Sequence, residues 1–176
     1  PSTSWVGVDH ISADMGSFAY DRYTNNTDIY SSFYSLTTTD YKIAQALQPY
    51  SEVQLNEIWL LLKKTGSPTG TLRFQIWSDD GGSPSKPSAL TASGDAISIS
   101  TMETDYDAFR LSVAIPMNLV PQTKVWWVLD ASGVTFSGGS IEARVSTANN
   151  FAVGSGYKST AAVTPVWSAI SPAAAI

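Results

Sequence analysis

Trp77, Arg73, Asp79 and Asp80 are the residues of this chain whose types and spacing could do binding chemistry. An indole ring stacks on the C–H face of a sugar while guanidinium and carboxylate groups take its hydroxyls, so these four form a candidate glycan site. Asp79 and Asp80 are also candidate ligands for a structural calcium, which takes roughly six to eight oxygens from carboxylates, carbonyls and water. The run Asp79-Asp80-Gly81-Gly82 lacks the spaced acidic pattern and closing glutamate of an EF-hand loop. A turn that needs Asp and Gly for backbone reasons is the simpler reading. No other cofactor is expected.

Catalysis finds little to work with. His10 is the single histidine, and Gly154-Ser155-Gly156 reads as a turn rather than a nucleophile elbow. Glu103, Asp105 and Asp107 alternate and could share a face, yet they lie where a loop meets a strand and read as solvated charge. There are no cysteines, which removes disulfides, thiolate metal sites and a cysteine nucleophile together. The chain is therefore expected not to be an enzyme. Trp126 and Trp127 must face opposite sides of one strand, and Trp167 is left uncommitted. Asn25-Asn26-Thr27 has glycosylation spacing, a pattern short enough to arise by chance.

The elements that would hold these residues are short strands. Leu72, Phe74 and Ile76 alternate with Arg73, Gln75 and Trp77, between a turn at Thr65–Gly70 and a loop at Asp79–Pro84. Glu52 to Lys64 is a longer strand, with Ile58, Leu60 and Leu62 on one face and Trp59 and Leu61 on the other. Further strands are expected at Lys42–Gln48, Ala96–Ser100, Phe109–Ile115 ending at Pro116, Lys124–Asp130 and Ile141–Val145. Phe151–Tyr157 and Val166–Ile170 carry weaker patterns. Strands punctuated by Gly, Pro, Asn and Asp, with no convincing helix, predict an all-β fold: an antiparallel β-sandwich with jelly-roll winding.

Residues 1–41 read as a separate, extended, aromatic-rich arm ahead of a sandwich over 42–170 and a short tail over 171–176. The arm carries Trp5, Phe18, Tyr20, Tyr23, Tyr30, Phe33, Tyr34 and Tyr41, with Arg22 its one Lys or Arg against five aspartates. Rings at that density expose apolar area that water disfavours, so Trp5, Phe18, Tyr20, Tyr23, Tyr30, Phe33 and Tyr34 are expected to meet another surface. The net charge of −5 and the scattered basic residues argue against nucleic acid. No apolar run approaches the roughly 20 residues of a membrane-spanning helix.

From about Ala44 to Asp130 the motifs resemble β-sandwich modules of bacteriophage tail and virion proteins and of bacterial surface proteins, the choice-of-anchor type, which are similar in fold to glycan-binding jelly rolls. The matching pieces are Ala44-Gln45-Ala46-Leu47, Ile58 to Lys64, Gly66 to Leu72, Ile76 to Ser85 and Trp126-Trp127-Val128-Leu129. Gln122-Thr123-Lys124-Val125 departs from the pattern, placing Val125 where a ring is expected. The resemblance implies a structural or decorating subunit of a virion, phage tail or extracellular assembly, at an extracellular or virion surface. Its partners would be copies of itself or a major structural protein. The alternative is a carbohydrate-binding or adhesive module that meets cell-surface glycan through exposed rings.

Overall fold

The computed structural model describes residues 32–49, 51–145, 156–160 and 163–170. Ten strands follow in chain order: β1 (Ser32–Leu36), β2 (Lys42–Leu47), β3 (Val53–Thr65), β4 (Thr69–Asp79), β5 (Pro87–Ser98), β6 (Asp107–Leu119), β7 (Val125–Thr135), β8 (Ser140–Val145), β9 (Tyr157–Ser159) and β10 (Trp167–Ala169), with one 3-10 turn at Ile99–Thr101. The fold is all-β, as the alternation predicts. Among the described residues no helix is long and apolar enough to cross a membrane.

The strands are hydrogen-bonded in the order β1-β8-β3-β6-β5-β4-β7-β2-β9-β10. The link between β6 and β5 is a single bridge, Gly94 to Val113. At that seam the sheet doubles into a sandwich-like pair of layers, a first layer β1-β8-β3-β6 and a second layer β5-β4-β7-β2-β9-β10. One core fills the space between: Leu36, Leu55, Ile58, Leu60, Leu62 and Leu111 come from the first layer, and Leu72, Phe74, Ile76, Trp127 and Leu129 from the second. Gly94 is required at the seam, because a Cβ there would stand 2.5 Å from Cδ1 of Phe74 and closer still to the carbonyl oxygen of Ser112. The Asp95 carboxylate beside it accepts the Ser112 amide at 2.7 Å, replacing a ladder bond.

The pairs β4 with β5, β3 with β6, β2 with β7, and β1 with β8 are antiparallel and nested, and β4 with β7 and β3 with β8, also antiparallel, join them into layers. Within β3 the apolar parity changes, since Leu55 is odd-numbered while Ile58, Leu60 and Leu62 are even. The register shifts between Leu55 and Glu57, and this irregularity lets both sets reach the core.

Several boundaries differ from those the sequence suggests; β7, for one, runs on past Asp130 to Thr135, and β9 occupies Tyr157–Ser159. Ser32–Leu36, inside the expected arm, is a strand of the first layer, with Leu36 fully buried, so the sandwich begins before residue 42. β5 runs from Pro87 to Ser98 through a stretch expected to be mostly loop, and Ile99–Thr101 turns as 3-10 instead of extending it. Exposed Ser, Thr and Ala residues give β5 no apolar stripe, and pairing along β4 holds it. β6 continues through Pro116 to Leu119. Pro116 lies between Ser112 and Met117, where no pairing to β3 is formed, so its missing N–H removes no bond of that ladder.

Candidate functional site

The Asp79–Asp80 loop is built from its own hydrogen bonds. Asp79 accepts the Trp126 indole N–H at Oδ1, 2.7 Å, and the Gly81 amide at Oδ2, 3.0 Å. Asp80 Oδ1 accepts the amides of Gly82 at 2.9 Å and Lys86 at 3.0 Å, closing the loop between β4 and β5. Those N–H donors, with the Lys86 ammonium adding charge, hold the Asp80 carboxyl below the usual carboxylate range. Three of the four oxygens nominated for calcium thus already accept N–H donors of the chain itself. Among the described residues no three His, Cys, Asp or Glu side chains come together as a metal-binding set.

Trp77 is not exposed. It keeps 9% of its surface in contact with solvent and donates its indole N–H to Gln75 Oε1 at 2.9 Å. Alternation turns it away from Phe74 and Ile76, as expected, but the outer face of the second layer is itself covered. Trp77, Trp126, Val128, Ala44, Ala46 and Tyr157 form a second apolar cluster there, with Trp167 packed against it. Trp167 meets Trp77 edge-on with centroids 5.8 Å apart, and Tyr157 meets Trp126 likewise at 5.3 Å. Arg73 is exposed, four residues back along β4 and so about 13 Å from Trp77. Trp77 and Asp79 therefore converge on Trp126, and burial first, then Asp80 and Asp79, raises the hydroxyl of Tyr157 beside it, while Arg73 stands apart.

Behind Trp77 runs a buried polar chain. Gln75 Nε2 approaches Asp130 Oδ2 at 3.4 Å, Asp130 Oδ1 accepts the Ser132 amide at 2.9 Å, and Lys42 Nζ pairs with Asp130 Oδ2 at 2.5 Å. It ties β4, β7 and β2 together on that covered face.

The outer face of the first layer is different. Trp59, opposite in parity to Ile58 and Leu60, faces outward and is half-buried; its cross-strand partner is Arg110 on β6. Glu57, two residues back on the same face, accepts the Trp59 indole N–H at Oε1, 3.0 Å, and pairs through Oε2 with Nε of Arg110. Further along, Lys63 pairs with Glu142 at 3.2 Å, and Glu142 also accepts the Tyr106 hydroxyl at 3.1 Å. The Lys63 ammonium and the Arg144 guanidinium lie 4.7 and 4.4 Å from the centre of the Tyr106 ring. Burial and the Glu142 carboxylate push the Tyr106 hydroxyl up to about 12, against a smaller opposing effect of Arg144.

No family model, curated protein or solved structure matches this chain. Its own geometry carries the functional argument.

Of the expected interface rings, Phe33 and Tyr34 sit on β1, the strand that ends the first layer. Phe33 is 54% exposed, level with Arg144 on β8. Tyr34 packs on the core, donates its hydroxyl to Asp40 Oδ2 at 2.5 Å and lies beneath the Lys158 ammonium, 5.7 Å from its ring centre. Burial first, then the Asp40 carboxylate, raises the Tyr34 hydroxyl well above its ordinary range. Trp5, Phe18, Tyr20, Tyr23 and Tyr30 lie outside the described residues, as do His10, Asn25-Asn26-Thr27 and Ser155. Glu103, Asp105 and Asp107 are exposed. Sequence reasoning sets Trp59 on the face opposite Ile58 and Leu60 and reads its strand as covered on both sides or lying under an arm; what it lacks is the register that brings Arg110 beside Trp59.

Proposed function

We propose that this protein is a non-catalytic structural or decorating subunit of a virion, phage tail or extracellular assembly, which joins its neighbours at the β1 edge of the first layer. The observation that carries this is β1 itself: a five-residue strand at the end of the sheet order, with Phe33 turned outward and 54% exposed. Among the described residues nothing pairs with the outer edge of β1, and such an edge is the usual place for a sheet to take on another chain. The chain enters that edge from residues 1–31, which carry Trp5, Phe18, Tyr20, Tyr23 and Tyr30. Nested pairing of β1·β8, β2·β7, β3·β6 and β4·β5 supports our reading of a jelly roll, an architecture used in capsid and lectin domains alike, so the fold favours assembly without deciding it.

Sedimentation velocity on the full chain tests the reading. Association is expected, and Phe33→Glu, together with serine at the five rings of residues 1–31, should abolish it while leaving the far-ultraviolet spectrum unchanged. A wild-type protein that sediments as a monomer at every concentration, or a variant that associates as before, would overturn it.

A further inference from the structure

The geometry points to a carbohydrate-binding subsite on the outer face of the first layer, with Trp59 as its apolar platform and Arg110 as its hydroxyl-binding arm. Glu57 sets the site. One of its oxygens holds the edge of the Trp59 indole at 3.0 Å, and the other holds Nε of Arg110. Glu57 is the buried member of that pair, with 12% of its side chain exposed, while Arg110 keeps 61%. A single carboxylate therefore fixes a ring on one strand and a guanidinium on the next. The pair is a pre-organised stacking surface beside a planar fork of N–H donors.

The two terminal nitrogens of a guanidinium remain when Nε is taken, and they can donate to adjacent hydroxyls of a pyranose. Indole carbons meet the sugar's C–H face. Ala108, on the same side of β6 as Arg110 and paired with Leu61, adds little bulk beside the platform. Further along the face, Tyr106 between Lys63 and Arg144 continues the alternation of ring and cation, which suits a chain of sugar units better than a single one. The charged groups at this face are Arg110, Lys63 and Arg144 with Glu57, Glu142 and, at the Ser112 amide opposite Glu57, the exposed Asp95, so cations and carboxylates balance and the face selects hydroxyls rather than net charge. Burial under Trp167 and Tyr157 withholds Trp77 from that role. Glu57 acts as a positioning residue, and Trp59 and Arg110 as the contacts.

This inference stands apart from the assembly reading, since a monomer would present the same face. The test is the full-length protein on a printed array of neutral and uronate-bearing oligosaccharides, followed by calorimetric titration with the strongest soluble oligosaccharide. Retention of at least one oligosaccharide is expected, with Trp59→Ala and Arg110→Ala each weakening it about tenfold or more. Arg110→Lys should also weaken it, because the planar fork is lost. Arg110 is exposed enough that its variants keep the fold, so the outcome does not depend on Trp59→Ala being stable. No retained glycan, or titrations of the Arg110 variants that match wild type, would overturn the inference. Sedimentation of the same samples separates it from assembly: association without sugar binding overturns this site alone, and sugar binding by a permanent monomer overturns assembly alone.

Discussion

Removing Asp130 should destabilise the protein far more than removing its whole ion pair. Lys42 and Asp130 keep only 3% and 8% of their side-chain surface exposed and meet at 2.5 Å. Asp130→Ala leaves the Lys42 ammonium buried without its counter-charge and takes the acceptor from the Ser132 amide and from Gln75. Breaking such a pair from one side costs about 3–5 kcal/mol. For a chain of this size each kcal/mol moves the melting temperature by about 2–4 °C, which gives a fall of roughly 6–20 °C. Lys42→Met leaves Asp130 with two N–H donors and should cost less, about 1–3 kcal/mol. The double variant Lys42→Met/Asp130→Leu removes both charges and should lie within about 2 kcal/mol of wild type, because apolar groups of similar volume replace a buried pair with little loss. Urea unfolding followed by tryptophan fluorescence gives all four free energies. An Asp130→Ala protein within about 1 kcal/mol of wild type, or a double variant as unstable as that single one, would refute the claim that burial, rather than the contact itself, sets the cost.

Gly94→Ala should cost about 1–3 kcal/mol in the same assay, since its Cβ would press on Phe74 and on the Ser112 carbonyl where the two layers meet; a neutral result would mean that the seam yields easily. Stability should hold up to about pH 10 and fall above it, because the Tyr106 hydroxyl is raised to about 12 and that of Tyr34 is raised as well, so the unfolded chain loses these protons first. Tyr106→Phe and Tyr34→Phe should each flatten that alkaline loss, read by thermal melts between pH 9 and 12. Asp80→Ala should speed hydrogen exchange at the Gly82 and Lys86 amides and leave the Phe74 amide protected; unchanged exchange at those two amides would mean that the loop keeps its shape without the carboxylate.

Strands that are buried were legible in the sequence. In β4 and β7 every second residue is apolar because one face meets a core, and Trp126 and Trp127 face opposite sides of β7 as expected, Trp127 in the core and Trp126 in the outer cluster. β5 was not legible, for its residues are largely exposed and its extended form is imposed by β4. β1 was hidden by its surroundings: Leu36 is a fully buried core residue set among polar and aromatic neighbours that read as an arm. Alternation also states which way a side chain points but not what lies over it. Trp77 pointed outward as expected, and its cover comes from Tyr157 and Trp167, many residues later in the chain. The Trp59–Glu57–Arg110 group was invisible because alternation within one strand says nothing of its neighbour, and only the β3–β6 register joins the three.

Nested pairing also sets an order in time. β4 and β5 are joined by a short loop and can close as soon as they exist, whereas β1 must wait for β8, with Ser32 paired to Val145 roughly 110 positions later. At ribosomal rates of about 5–20 residues per second, β1 waits roughly 5–20 seconds for its partner to be made. During that interval Leu36 and Tyr34 have no β8 beside them, and the backbone that later forms the sheet's rim is open on both sides. The strand proposed to recruit neighbours in the finished protein is therefore also the one that synthesis leaves waiting longest, so capture by another nascent copy competes with completion of its own fold.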